Sequence, residues 1–193
     1  MLPHIKQSVK SCFFQLRSLW SIRRFITRDI AKTLVHAFVL SKVDYCNSAL
    51  SGVAMCNLRR LQSVMNAAAR FISMRRKFDH ISDFLHDELH WLNVEDRISY
   101  KLCLFVYRCL QCRAPPYLSC LCRPLSAVAG RPGLRSADRG DLFVPRTSTN
   151  IGSRSFSVAG PTLWNSLPLS LRDRSLSIDS FKSTLKTHFF LLH

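Results

Sequence analysis

The sequence predicts a mainly α fold: a helical bundle, then an irregular segment with a candidate short β-hairpin, then a final helix. Three observations point there. Apolar residues recur at intervals of three and four from the N-terminus to about residue 122, the period of a buried helix face. Small polar and acidic residues stand where those helices would open. From Arg123 to Pro161 the chain turns to Pro, Gly, Ser and Arg, a composition of turns and linkers.

Taken in order, Ile5, Val9, Cys12, Phe13, Leu16 and Leu19 fall at helical spacing, with Lys6, Lys10, Arg17, Arg23 and Arg24 assigned to the surface. A second helix opens near Thr27, where Asp29 offsets the N-terminal end of the helix dipole. Its apolar positions are Ile30, Leu34, Ala37 and Phe38. Asp44 to Gly52 is a turn-rich break. The third helix carries the stripe Leu58, Leu61, Met65, Ala68 and Ile72, and Ala67-Ala68-Ala69 is small enough for another helix to approach closely. Asn93-Val94-Glu95-Asp96 has the form of a capped helix start. The helix behind it would bury Ile98, Leu102, Phe105, Val106, Cys109 and Leu110, and Pro115-Pro116 would end it.

Beyond Cys122 the stretch from Arg123 to Gly140 reads as a linker. Leu142–Thr147 and Ser153–Val158 are extended candidates that would pair around Thr149-Asn150-Ile151-Gly152. Ser177 caps a last helix that buries Ile178, Phe181, Leu185 and Phe189. The chain thus divides into a helical region over 1–122, a basic Pro/Gly/Ser-rich linker with the hairpin over 123–160, and a C-terminal helical segment over 161–193.

Charge narrows the partners. The 193 residues hold 28 Lys/Arg against 12 Asp/Glu, a formal net charge of +16, with an isoelectric point near 10.2. Such an excess favours polyanions, nucleic acid first and an anionic membrane surface second. The excess is concentrated in residues 1–80 (+11) and 123–193 (+6), around a middle of −1. At 47% hydrophobic residues the chain can build a core, which excludes wholesale disorder. The most apolar run, Leu102 to Leu110, contains Arg108 and is far short of the roughly 20 residues of a spanning helix. MLPHIKQSVK has no apolar stretch that would serve as a secretory signal. The expectation is an intracellular protein of nucleus or cytoplasm, without a membrane partner, whose eight cysteines are reduced thiols.

Three constellations invite chemistry. His86-Asp87-Glu88-Leu89-His90 sets two histidines at i and i+4, a spacing that chelates zinc on a helix. The zinc-protease motif has Glu directly after the first histidine, however, and here that place holds Asp87, so surface or capping histidines are favoured. Cys109-x-x-Cys112 and Cys120-x-Cys122 offer four thiols. Cys109 lies on an apolar stripe and the second pair is tighter than a zinc knuckle, which favours packing over zinc or redox work. Trp91 and Trp164 offer stacking surfaces for nucleic-acid bases, but their leucine neighbours favour core anchors. No metal and no cofactor is expected.

The stretch LVHAFVLSKVDYCNSALSGVAMCNLRRLQSVMNAAAR, Leu34 to Arg70, resembles the segment that follows the polymerase palm in reverse transcriptases of LINE-type (non-LTR) retrotransposons. The resemblance continues through Glu88-Leu89-His90-Trp91-Leu92, Ala114-Pro115-Pro116-Tyr117-Leu118, Phe143-Val144-Pro145-Arg146-Thr147 and Gly160-Pro161-Thr162-Leu163-Trp164-Asn165-Ser166-Leu167-Pro168, nearly the whole chain in family order. It implies that the helical region is thumb-like, the part of such a polymerase that holds the primer–template duplex. It assigns phosphate contact to Arg59, Arg60, Arg70, Arg75, Arg76 and Lys77, which would grip a backbone without reading sequence. A second basic block, Arg131, Arg135, Arg139, Arg146 and Arg154, is either an RNA-gripping tail or a plain linker.

Resemblance and activity part company at the acids. A polymerase clamps two divalent metals between carboxylates, which in reverse transcriptases means a Tyr/Phe-x-Asp-Asp hairpin. This sequence has no Asp-Asp pair, and Val43-Asp44-Tyr45-Cys46 lacks the second acid. His4 to Arg28 is also similar to the amino-terminal region of AlkB-like repair proteins, but no His-x-Asp pair is present for an iron site. The expectation is a non-catalytic fragment that binds RNA or DNA by charge. The alternatives are a truncated portion of an active RNA-directed DNA polymerase with its palm upstream, a structural or interaction protein, and a remnant without function.

Overall fold

A computed structural model describes residues 2–76, 78–128, 139–173 and 175–192, and among them helix is the only regular secondary structure. The mainly α expectation holds. The chain forms two compact units, Met1–Arg97 and Ile98–His193, whereas composition places its boundaries at residues 122 and 160. Among the described residues no helix is long and apolar enough to cross a membrane.

In the first unit, α1 (Leu2–Ile22) buries Ile5, Cys12, Leu16 and Leu19 against α3. Helix α2 (Arg28–Val35) opens at Thr27, whose hydroxyl accepts the Ile30 N–H at 3.4 Å, and Asp29 sits in its first turn. It continues through a π-helical turn, His36–Leu40, into a last α turn, Ser41–Val43. The face it buries is Ala31, Val35, Val39, Leu40 and Val43. This corrects the sequence expectation: Ile30 (49% exposed) and Phe38 (44%) lie outside. Both sets repeat at helical spacing, so the period alone could not choose between them. The wide π turn then lets Val39 and Leu40 face inward together.

Helix α3 (Met55–Ser73) buries the expected stripe together with Val64, Ala69 and Phe71. Its end depends on a residue the sequence reading placed on the surface. Arg23 is 6% exposed, in the 3-10 turn Arg23–Phe25 after α1. Its Nε donates to the Phe71 carbonyl at 2.7 Å, Nη2 to Ile72 at 2.8 Å and Nη1 to Ile26 at 2.9 Å. The last carbonyls of a helix lack N–H partners and carry its negative dipole end. A guanidinium with five donors answers both needs, and it also lies 5.5 Å from the Phe71 ring centroid. Met74 then turns the chain with φ 57°.

After the π turn Phe84–Glu88, Trp91, Leu92 and Val94 are buried. Helix α4 (Val94–Leu110) begins with the Val94 N–H donating to Gln62 Oε1 of α3 at 3.0 Å. It stops before the prolines. Cys112 adopts φ 53°, its N–H reaches the Cys109 carbonyl at 3.2 Å, and the Arg113 N–H reaches Arg108 at 2.9 Å. Those two bonds make a Schellman end with cysteine where glycine is usual. Pro116 then opens a single turn, α5 (Pro116–Ser119).

In the second unit α6 (Phe156–Ser166) and α7 (Ile178–Leu191) join the later part of α4. Ser177 caps α7, accepting the Ser180 N–H at 3.1 Å. The Tyr107 and Phe181 rings stack with centroids 4.0 Å apart, beside the fully buried Trp164. Gly160 is the close approach: a Cβ there would meet Val106 Cγ2 at 3.0 Å.

The β-hairpin does not form. Ser153–Val158 instead runs through the 3-10 turn Gly152–Arg154 into α6, with Pro161 inside the helix. Asp141 to Phe143 is extended but finds other partners. On one side the Leu125 N–H donates to Asp141 and the Phe143 N–H to Arg123, each at 2.9 Å. On the other, the Asn165 side chain accepts the Leu142 N–H at 2.8 Å and donates to its carbonyl at 2.9 Å. An amide side chain makes the same donor and acceptor pair as a neighbouring strand. Asp141 is further held by Arg172 in an ion pair.

Candidate nucleic-acid interface

Helix geometry decides which of the basic residues act together. At 100° per residue, Arg59, Ser63, Ala67 and Arg70 share a face of α3, with Arg60 at its border, inside an arc of about 100°. That face lies opposite the buried stripe, and Arg59 and Arg60 are exposed. Arg75 and Arg76 follow the helix end and are exposed too. Lys77 lies outside the described residues.

The C-terminal half of this face borders a cleft of about 610 Å³. Ser63 and Ala67 contribute from α3, with Arg70, Met74, Arg75 and Arg76 beyond them. Phe13 and Trp20 contribute from α1. Arg70 Nη2 donates to the Asp79 carbonyl at 3.2 Å, Arg75 Nη1 to the His80 carbonyl at 2.9 Å, and the Arg76 N–H to Asp79 Oδ2 at 2.7 Å. These bonds hold the arginines around a short loop and leave further N–H donors on each guanidinium. Arg75 also stands 5.2 Å from the Phe84 ring centroid, with Arg28 at 4.8 Å. Arg28 is neutralised by Glu88. Among the described residues none of Arg59, Arg60, Arg70, Arg75 and Arg76 pairs with a carboxylate.

Trp20 and Phe13 were missed as surface aromatics. Helical spacing places Phe13 on the buried face, but it is 40% exposed, and Trp20 is 44% exposed. The Trp20 ring stands edge-on to the buried Phe71, centroids 5.4 Å apart at 86°. Their spacing of seven residues puts both on one side of α1, which was the available signal. Trp91 and Trp164, the stacking candidates of the sequence, are core residues at 6% and 0% exposure.

Of the second basic block, Arg131 and Arg135 lie outside the described residues, Arg139 and Arg146 are exposed, and Arg154 is half-buried on the 3-10 turn before α6. The two histidines do not share a helix face: the π turn takes His86, and His90 follows it with φ 50°. Cys109 and Cys122 are buried, while Cys112 and Cys120 are exposed. Burial, together with the neighbouring Cys109, pushes the Cys122 thiol up to about 12. Among the described residues no three His, Cys, Asp or Glu side chains come together as a metal site. Asp44 faces Arg97, which meets its two oxygens through Nε, at 2.9 Å, and Nη2.

No family model matches the chain, and neither a curated protein nor a solved structure matches it at a significant level.

Proposed function

We propose that this chain is a non-catalytic piece of a LINE-type reverse transcriptase, corresponding to the thumb and the region after it, and that it binds RNA or DNA backbone without sequence preference. The observation that supports the reading is the arginine face of α3: Arg59, Arg60 and Arg70, continued by Arg75 and Arg76, without carboxylate partners among the described residues. From Arg59 to Arg70 the helix rises about 16 Å, the span of roughly five nucleotides of one strand. Guanidiniums on a rigid helix can fork onto phosphate oxygens along that length. The proposal of no catalysis rests on the sequence, which has no Asp-Asp pair, and Asp44 has a structural task in its pair with Arg97.

The experiment is a salt titration of binding to a single-stranded RNA. Five phosphate contacts release enough counterions for a slope of log K against log salt near −3.5, at about −0.7 per contact. A flat dependence would overturn the proposal. A second reading, an interaction protein, draws on the exposed apolar residues Ile30 and Phe38 of α2. Binding to a protein partner at physiological salt, with indifference to nucleic acid, would favour it.

A further inference from the structure

The arginine face explains attraction to a phosphate chain but leaves the aromatic wall of the cleft without a task. Trp20 is 44% exposed although it is the largest side chain on its helix. It is also braced: its ring meets Phe71 at 5.4 Å in an edge-to-face contact, and Phe71 is fully buried beneath the Arg23 guanidinium. Arg70, Arg75 and Arg76 line the same cleft, and Ala67 is a small residue in its lining. The volume of about 610 Å³ lies in the range of small-ligand sites.

We propose that this cleft receives an unpaired base of single-stranded nucleic acid, stacked against Trp20, with its flanking phosphates on Arg70, Arg75 and Arg76. The inference rests on the backbone-binding function proposed above and deepens it by naming the strand state. Both halves of the ligand are needed to explain the lining. An apolar partner would leave three cationic groups against apolar surface, which costs free energy unless they are compensated. A simple anion would leave the indole and the Phe13 ring unused. A nucleotide brings a flat π surface and a charge on one framework, the combination that single-strand binding surfaces use. In a duplex each base is already stacked and paired, so it offers Trp20 no face. Asp79, a carboxylate beside the arginines, accepts the Arg76 backbone N–H, and it trims the positive field without cancelling it.

The test uses the full chain with a short oligothymidylate, the matching oligouridylate and a blunt duplex of the same length, at one salt concentration. Trp91 and Trp164 are buried, so quenching of tryptophan emission by the single strands reports on Trp20. Trp20→Ala should weaken single-strand binding about 5- to 150-fold, the loss of one stacked base, while duplex affinity stays within about twofold. Trp20→Tyr retains a ring and should recover most of the single-strand affinity. Equal effects on thymidylate and uridylate are expected, because stacking does not read the sugar. The inference is overturned if Trp20→Ala binds single strands as the parent does, if duplex binding falls in parallel, or if Trp20→Tyr is as weak as Trp20→Ala. Salt-dependent binding with a silent Trp20→Ala would remove the base site and leave the backbone reading standing. No binding to any of the three nucleic acids would remove both.

Discussion

Replacing Arg23 by Met should destabilise the first unit by about 2–4 kcal/mol. Three hydrogen bonds from one charged group are worth roughly 1.5–3 kcal/mol each against an unmade bond. Methionine brings no charge to desolvate, which recovers several of those kcal/mol, and its stem keeps much of the packing over Phe71. What remains is the cost of leaving the Phe71 and Ile72 carbonyls at a helix end without donors. Urea denaturation followed by far-UV circular dichroism measures the difference, and hydrogen exchange should show the last turn of α3 opening more readily in the variant. Arg23→Lys separates charge from geometry. A single ammonium keeps the favourable end of the dipole but cannot span three carbonyls set for a planar fork, so about half of the loss should persist. A stability within about 0.5 kcal/mol of the parent for Arg23→Met would refute the capping role. A fully stable Arg23→Lys would show that a point charge suffices.

Asn165→Ala should cost about 2–4 kcal/mol by urea denaturation, because both backbone groups of the buried Leu142 lose their partner; no loss of stability would mean that water replaces the amide. Thiol titration at mild alkaline pH should show rapid reaction at the exposed Cys46, Cys56, Cys112 and Cys120 and protection of Cys12, Cys103, Cys109 and Cys122. Burial raises the Cys103 and Cys122 thiols from 9.0 to about 12. A raised folded-state value means that their contribution to stability is complete below pH 9 and is lost as pH rises through 12. A chain whose stability is flat across that window would contradict the burial of these two thiols.

Much of the helical frame was legible in the sequence because burial and period coincide there. Leu58, Leu61, Met65, Ala68 and Ile72 all face the core, and Thr27 and Ser177 both cap the helices they were expected to open. The failures share a cause: each depended on a partner far along the chain. Nothing near Arg23 marks it as the cap of a helix 48 residues away. Nothing in Leu142–Thr147 says that an asparagine side chain will take the place of a second strand. On α2 two apolar stripes compete, and only the packing of α1 and α3 decides between them. For the candidate site, charge points to the arginines, while the apolar spacing of α1 places Phe13 in the core stripe and says nothing of Trp20.

The contact between Asn165 and Leu142 has a consequence for solubility. An extended segment with free N–H and C=O groups is a template for pairing with another chain, and Leu142-Phe143-Val144 is an apolar run. Here the backbone of Arg123 and Leu125 covers one edge at Asp141 and Phe143, and a single side chain covers the other at Leu142. Asn165 therefore stands as a stopper at the end of an unfinished sheet, taking the two Leu142 backbone groups that a further strand would need.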